Sequence, residues 1–198
     1  MQPEYCEKEH KLEARAENAA IFRRVMGVDS IPKDREYWTL CNKQSLDEGS
    51  EIMQMERLGI LNKCQFHGVD RDFEIIQQNK IWHPEAHWHN KEWLDAINDE
   101  FNPSMIYLDM TSFAGFSVAI ELIARTMFKC PPNTLLLANT MLNDPRSRRT
   151  FDAAKSIKGI EKKVPPSELK KWNLKVENYT YSATGRTTLL TQILHKKG

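Results

Sequence analysis

The chain has 198 residues, enough for one domain with its own hydrophobic core and too few for several. Apolar residues make up 40% and charged residues 28%, a globular balance that excludes a disordered or fibrous chain. The 28 basic and 27 acidic residues leave a formal net charge of +1, so no overall field draws the chain to nucleic acid or to an anionic membrane. No apolar run approaches the ~18 residues that a membrane-spanning helix needs. Glu4, Glu7, Lys8, Glu9 and Lys11 stand where a secretory signal would carry its apolar stretch. Cys6, Cys41, Cys64 and Cys130 are far apart and form no C-x-x-C, so zinc-site spacing is absent. Reduced thiols and a cytoplasmic location are the expectation, with Cys41 and Cys64 in or beside apolar strands.

Leu12, Ala16, Ala19, Ala20, Ile21 and Val25 recur at roughly helical spacing and predict a leading helix over 4–26, stopped by Gly27. This helix makes residues 1–30 an N-terminal extension of a domain running from 31 to 198. Aromatic and β-branched residues predict a first strand at 37–41. A polar stretch and a helix over 50–58 follow, the helix stopped by Gly59. A second strand at 64–70 ends on Asp70, and a helix begins at Phe73 and ends before Pro84. Residues 86–89 read as a weaker strand. Residues 91–99 read as a helix with Trp93, Leu94 and Ile97 on one face. The strongest strand signal is 104–109, an apolar run ending on Asp109. An apolar helix over 116–128 is closed by Pro131 and Pro132, and 134–139 is another buried strand. The polar region 143–171 holds one or two helices. Strands at 174–181 and 187–195 flank a short link containing Gly185, which reads as an antiparallel hairpin.

Strands alternating with helices predict an α/β fold: a doubly wound, mostly parallel sheet with helices on both faces and a C-terminal antiparallel hairpin. Ligands of such sheets bind at the carboxyl ends of the strands. Asn42, Asp70, Asn90, Asp109 and Asn139 all fall at such ends. Short polar residues also cap helices, so each of them has a structural reading beside the functional one.

Over about residues 37–198 this layout resembles the class I S-adenosylmethionine-dependent methyltransferases, a Rossmann-like family. The resemblance implies S-adenosylmethionine as cofactor. It places Asn42 and Gly49 in the loop after the first strand, which is Gly-rich in the family and holds one glycine here. It places Asp70 on the ribose hydroxyls, and Asn90 and Trp93 near the adenine. The substrate-side motif corresponds to Asp109-Met110-Thr111-Ser112-Phe113, with Asp109 as the base or orienting acid and Thr111 and Phe113 toward the acceptor. The paired prolines that base-modifying amino-methyltransferases carry there are absent. Asn139 and Arg146 complete the substrate side. The alternative is a non-catalytic scaffold of the same fold, or a binding subunit of a larger assembly, which the glycine-poor loop and missing prolines favour.

His83, His87 and His89 form a cluster in which His87 and His89 share one side of a strand, yet no acid or Cys at metal spacing joins them. They read as surface or half-buried histidines, and no metal site is expected. Arg146, Arg148, Arg149, Lys155, Lys158, Lys162 and Lys163 make 146–163 basic. This segment could meet phosphates of a nucleic-acid acceptor, or be a solvated helix face. The acceptor is unknown, a membrane partner is not expected, and an oligomer or protein partner is compatible with the sequence.

Overall fold

The computed structural model describes residues 4–47, 49–98, 101–110, 116–141, 143–144, 149–150, 153–180 and 188–198. Five segments form parallel strands: β1 (Glu36–Leu40), β2 (Phe66–Asp70), β3 (His87–Asn90), β4 (Pro103–Asp109) and β5 (Thr134–Met141). A short ladder that the sequence did not announce, β6 (Asn143–Asp144) with β7 (Arg149–Thr150), stands apart from them. The hairpin is β8 (Trp172–Thr180) and β9 (Thr188–Lys196). The order in the seven-stranded sheet is β3-β2-β1-β4-β5-β9-β8, with β9 antiparallel to both its neighbours. The doubly wound, mostly parallel sheet is therefore present. The returning strand β9 lies inside the sheet rather than at its rim.

The helices cover both faces, as buried parallel strands require. Helices α1 (Glu4–Met26), α2 (Glu51–Arg57) and α3 (Phe73–Trp82) lie on one face. There Ile21, Phe22, Ile52, Met55 and Ile76 pack against Tyr37, Phe66, Tyr107 and Leu137. Helices α4 (Trp93–Ala96), α5 (Phe116–Lys129) and α6 (Ala153–Lys163) lie on the other, where Trp93, Ile123 and Ile160 meet Trp38, Ile106 and Leu136. A last short helix, α7 (Pro166–Leu169), leads into β8. No helix among the described residues is long and apolar enough to cross a membrane.

Gly27 and Gly59 adopt φ of +69° and +70°, the left-handed conformation that ends a helix at low cost on glycine. Two elements depart from expectation. The second strand starts at Phe66, because Lys63–Gln65 is a 3-10 turn closed by a capping box between Asn62 and Gln65. Gln65 is buried and donates to the carbonyls of Ile31, Pro32 and Arg35, which costs the strand its first residues and leaves Cys64 exposed. The helix after β3 is one turn long, Trp93–Ala96, with Trp93 and Ala96 buried and Leu94 packed against the same core.

Candidate functional site

The sheet order reverses between β1 and β4, and the loops leaving their carboxyl ends part there. A cleft of about 120 Å³ opens at this point. Its wall from α1 is Lys11, Ala14 and Arg15, a helical face of spacing three and four. Its floor is Tyr107, Asp109 and Asn139 at the ends of β4 and β5, and its far side runs from Asn42 to Gln44 and from Gly49 to Glu51. Asp109 and Asn139 are register partners, so their side chains leave the sheet on the same face.

The loop after β1 is held by side chains where glycines would leave open backbone. The buried Gln44 Oε1 accepts from Glu51 N at 2.8 Å and Ile52 N at 3.3 Å, taking the first free N–H groups of α2. Gln44 N donates to Asn79 Oδ1 at 2.8 Å, and Asn79 Nδ2 donates to the Asn42 carbonyl. Ser50 Oγ caps Met53 N. Arg15 reaches over from α1 and donates to the Gly49 carbonyl at 2.6 Å.

Beneath the cleft lies a buried polar layer. Tyr37 donates its hydroxyl to Glu51 Oε1 at 2.6 Å, and burial pushes the Glu51 carboxyl up from its usual range, against the pull of Arg15. Asn139 Nδ2 donates to the Tyr107 hydroxyl at 3.0 Å, and Thr191 donates to Asn139 Oδ1 at 2.9 Å. Burial raises Tyr107 well above the ordinary phenol value, so the hydroxyl is neutral.

The cleft thus brings together Asn42, Gly49, Asp109 and Asn139 from among the residues singled out in the sequence. Asp70 and Asn90 stand side by side at the neighbouring ends of β2 and β3, outside its wall. Asp70 Oδ1 accepts from Asp72 N at 2.8 Å, and desolvation raises its carboxyl above the usual value against the pull of the Asp72 and Arg71 backbone N–H groups. Asn90 Nδ2 donates to the carbonyls of Asp70 and Arg71. Trp93 is elsewhere: it is 3% exposed in the opposite core, with its indole N–H on Thr126 Oγ1 at 2.9 Å. It packs edge-on to Trp38 and Phe101 and presents no face to a ligand. Thr111, Phe113 and Arg146 lie outside the described residues, as does Arg148. The described lysines of the basic segment ride on α6, over the sheet face opposite the cleft, with Lys163 on Glu121 at 2.7 Å.

Sequence reasoning missed Arg15, Gln44, Glu51 and Tyr107. The signals were present in part. Tyr107 precedes Asp109 by two and so shares its face, and Lys11, Ala14, Arg15 and Asn18 form one helical stripe. The histidines divide. His83 is buried and its Nε2 meets the Ser45 carbonyl, whereas His87 and His89 join His67 of β2 on the edge of the sheet. No group of three side chains among the described residues is arranged to hold a metal ion.

No protein-family model matches the chain, and no curated protein resembles it in sequence. Solved structures do resemble it in shape. A TehB-like SAM-dependent methyltransferase from Corynebacterium glutamicum aligns over 93% of this chain and 96% of its own, with 14% identity and a TM-score of 0.51. The N-methyltransferase NodS from Bradyrhizobium japonicum aligns over 96% and 98%, with 9% identity and a TM-score of 0.56. A precorrin-6y C5,15-methyltransferase from Geobacter metallireducens aligns over 93% and 88%, with 10% identity and a TM-score of 0.55. At such identities the likeness is one of fold.

Proposed function

We propose that this chain, whose fold is that of the class I S-adenosylmethionine-dependent methyltransferases, binds S-adenosylmethionine at the carboxyl ends of its strands and methylates an acceptor beside it. The observation that carries this reading is the cleft at the switch point, lined by Lys11 and Arg15 of α1 and by Asp109 and Asn139 of the sheet. The cofactor is an amino acid joined through a sulfonium to a nucleoside, and the residues present fit its parts chemically. Lys11 and Arg15 suit its carboxylate, and the amide oxygen of Asn139 its ammonium. Asp70 suits the ribose diol, as an acid at a strand end does in dinucleotide folds. A cleft of about 120 Å³ encloses only part of such a ligand, since whole ligands of that class occupy ~300–1,000 Å³. Asp70 and Asn90 offer the rest an open ledge.

When bound, the cofactor supplies an electrophilic methyl group. The chain's own work is to hold the acceptor in line and to take its proton. Asp109 is the group we assign to the proton. Gln44 and Arg15 shape the methionine end by closing the backbone approach that glycines leave open in the family. The free thiols of Cys41, Cys64 and Cys130 support a cytoplasmic setting.

The same Gln44 plug is the specific observation behind a second reading, a scaffold that keeps the fold without the cofactor. Calorimetric titration with S-adenosylmethionine and its demethylated product separates the two. Saturable binding is expected, with Asp70→Ala weaker by at least ~1 kcal/mol through loss of a charge-assisted pair. Asp109→Asn is expected to bind the cofactor normally and to lose turnover by ~100-fold or more. Absence of heat with either ligand moves the assignment to the scaffold.

A further inference from the structure

The inward face of α3 carries polar side chains where a helix packed on a sheet ordinarily carries apolar ones. Ile76, Asn79 and His83 follow one another at spacings of three and four, and all three are fully buried. An amide or an imidazole in such a row costs stability unless its polar atoms are bonded. Here the bonds leave the helix for a single target, the loop after β1.

Asn79 meets that loop on both sides of Lys43. Its Oδ1 accepts from Gln44 N at 2.8 Å, and its Nδ2 donates to the Asn42 carbonyl at 3.2 Å. One turn further on, His83 Nε2 donates to the Ser45 carbonyl at 3.1 Å. The other ring nitrogen, Nδ1, makes no hydrogen bond, so the ring's polar contact is with this loop alone. Between them Trp82 lies with its ring centre 5.0 Å from Lys43 Nζ. Gln44 passes the hold on to α2, since its Oε1 accepts from Glu51 N and Ile52 N. Asn42, Gln44 and Glu51 line the cleft, whereas Asn79 does not.

The start of α3 serves the other end of the site. Asp72 caps its first turn through Glu74 N and Ile75 N, and Asp72 N donates to Asp70 Oδ1. One helix therefore fixes the acid assigned to the ribose at its beginning and the wall of the cleft at its end.

We propose that Asn79 is a positioning residue: it touches no ligand, and by fixing Asn42 and Gln44 it sets the wall against which the amino-acid end of the cofactor lies, with His83 as the second point of hold. This rests on the S-adenosylmethionine reading for the ligand, although not for the holding of the loop. Glycines shape a loop through their backbone freedom; in a stretch that holds only Gly49, buried side chains impose the shape instead.

Asn79→Leu in the full chain is the test. Leucine has the same branching and suits an apolar row, so the variant is expected to fold. S-adenosylmethionine and adenosine, which lacks the amino-acid end, are titrated by calorimetry and NMR shifts. The variant is expected to bind S-adenosylmethionine about tenfold more weakly and adenosine within about twofold of the parent, because a displaced wall costs only the end it faces. In the free protein the amides of Glu51 and Ile52 are expected to exchange with solvent about tenfold faster, as Gln44 leaves them. His83→Leu removes a buried nitrogen that has no partner, so it folds even where Asn79→Leu does not. It is expected to move the same quantities in the same direction to a smaller extent. A residue that only supports the fold would weaken both ligands alike. Equal loss for both ligands, unchanged affinity for S-adenosylmethionine, or unchanged exchange at Glu51 and Ile52 overturns the proposal. A parent chain that binds neither ligand sinks the methyltransferase reading, and the exchange rates alone then decide whether Asn79 holds the loop.

Discussion

His67 stands in a stack of rings that leaves it no room to charge. Its imidazole lies 4.5 Å from the Trp38 ring and 4.4 Å from His87, centre to centre, and its Nδ1 is 3.1 Å from His89 Nε2. Burial, reinforced by His87 and His89, lowers its pKa from 6.5 to about 3. Below the unfolded value the unfolded chain therefore binds a proton that the folded chain refuses. Stability is full above pH ~6.5 and declines by roughly 1 kcal/mol per pH unit as pH falls toward 3. Urea unfolding at pH 7 and pH 5 should show that decline, and His67→Gln should remove most of it while lowering stability at pH 7 through the lost stack. An unchanged pH slope in the variant would assign the acid sensitivity to another group. The carboxylates show how far single residues could be read. Asp109 was legible because a polar residue closing an apolar strand has to emerge where the strand ends, whereas β5 runs on to Met141 and leaves Asn139 buried, with its amide on Tyr107 and Thr191. Trp93 was misplaced because a helical stripe of Trp93, Leu94 and Ile97 says which residues share a face and not which side of the sheet that face meets. His67 gave no signal, since its companions come from another strand.

The C-terminal hairpin is fastened by one charged group placed at its foot. Lys196 Nζ donates to the Cys130 carbonyl at 2.7 Å and sits 2.9 Å from Glu168 Oε1, above the Trp172 ring. Although burial works the other way, hydrogen bonds from Lys171, Lys196 and Trp172 hold the Glu168 carboxyl at about 2. The contact joins α7, β8, β9 and the end of α5. Lys196→Met keeps the apolar stem and removes the charge, leaving Glu168 with Lys171 and Trp172 as partners. The expected loss is ~1–3 kcal/mol, below the ~3–5 of a fully orphaned buried pair, and chemical denaturation measures it. Loss of less than 0.5 kcal/mol, about the scale of ordinary surface substitutions, would make the contact incidental. At this scale the strands and helix stops read well, because hydrophobic runs and the positive-φ glycines Gly27 and Gly59 act locally. The trimmed start of β2 did not, because Gln65 answers to carbonyls about thirty residues away. The position of β9 between β5 and β8 did not either, as a hairpin signal fixes the pairing of two strands and leaves open which of them meets the sheet.

Across the whole molecule two cores share one sheet, and α1 closes the face that carries the cleft. Phe22 is fully buried on that face among Tyr37, Met105 and Ile193 as members of the same core. Phe22→Ala is expected to cost ~3–5 kcal/mol in urea unfolding, with a single transition, because the helix and the sheet share that core. A separate early transition would show instead that the helix melts on its own. The sheet order also bears on how the chain is made. Among the described residues β8 pairs with β9 and with no other strand, and β9 in turn pairs with β5. While the polypeptide leaves the ribosome, β1 to β5 can assemble as they emerge, but β8 has no partner until β9 follows it. At ~5–20 residues per second the wait is about a second or more, during which β5 presents an open edge. That interval, rather than the finished sheet, is where aggregation of the nascent chain would begin, and where a chaperone that masks strand edges would act.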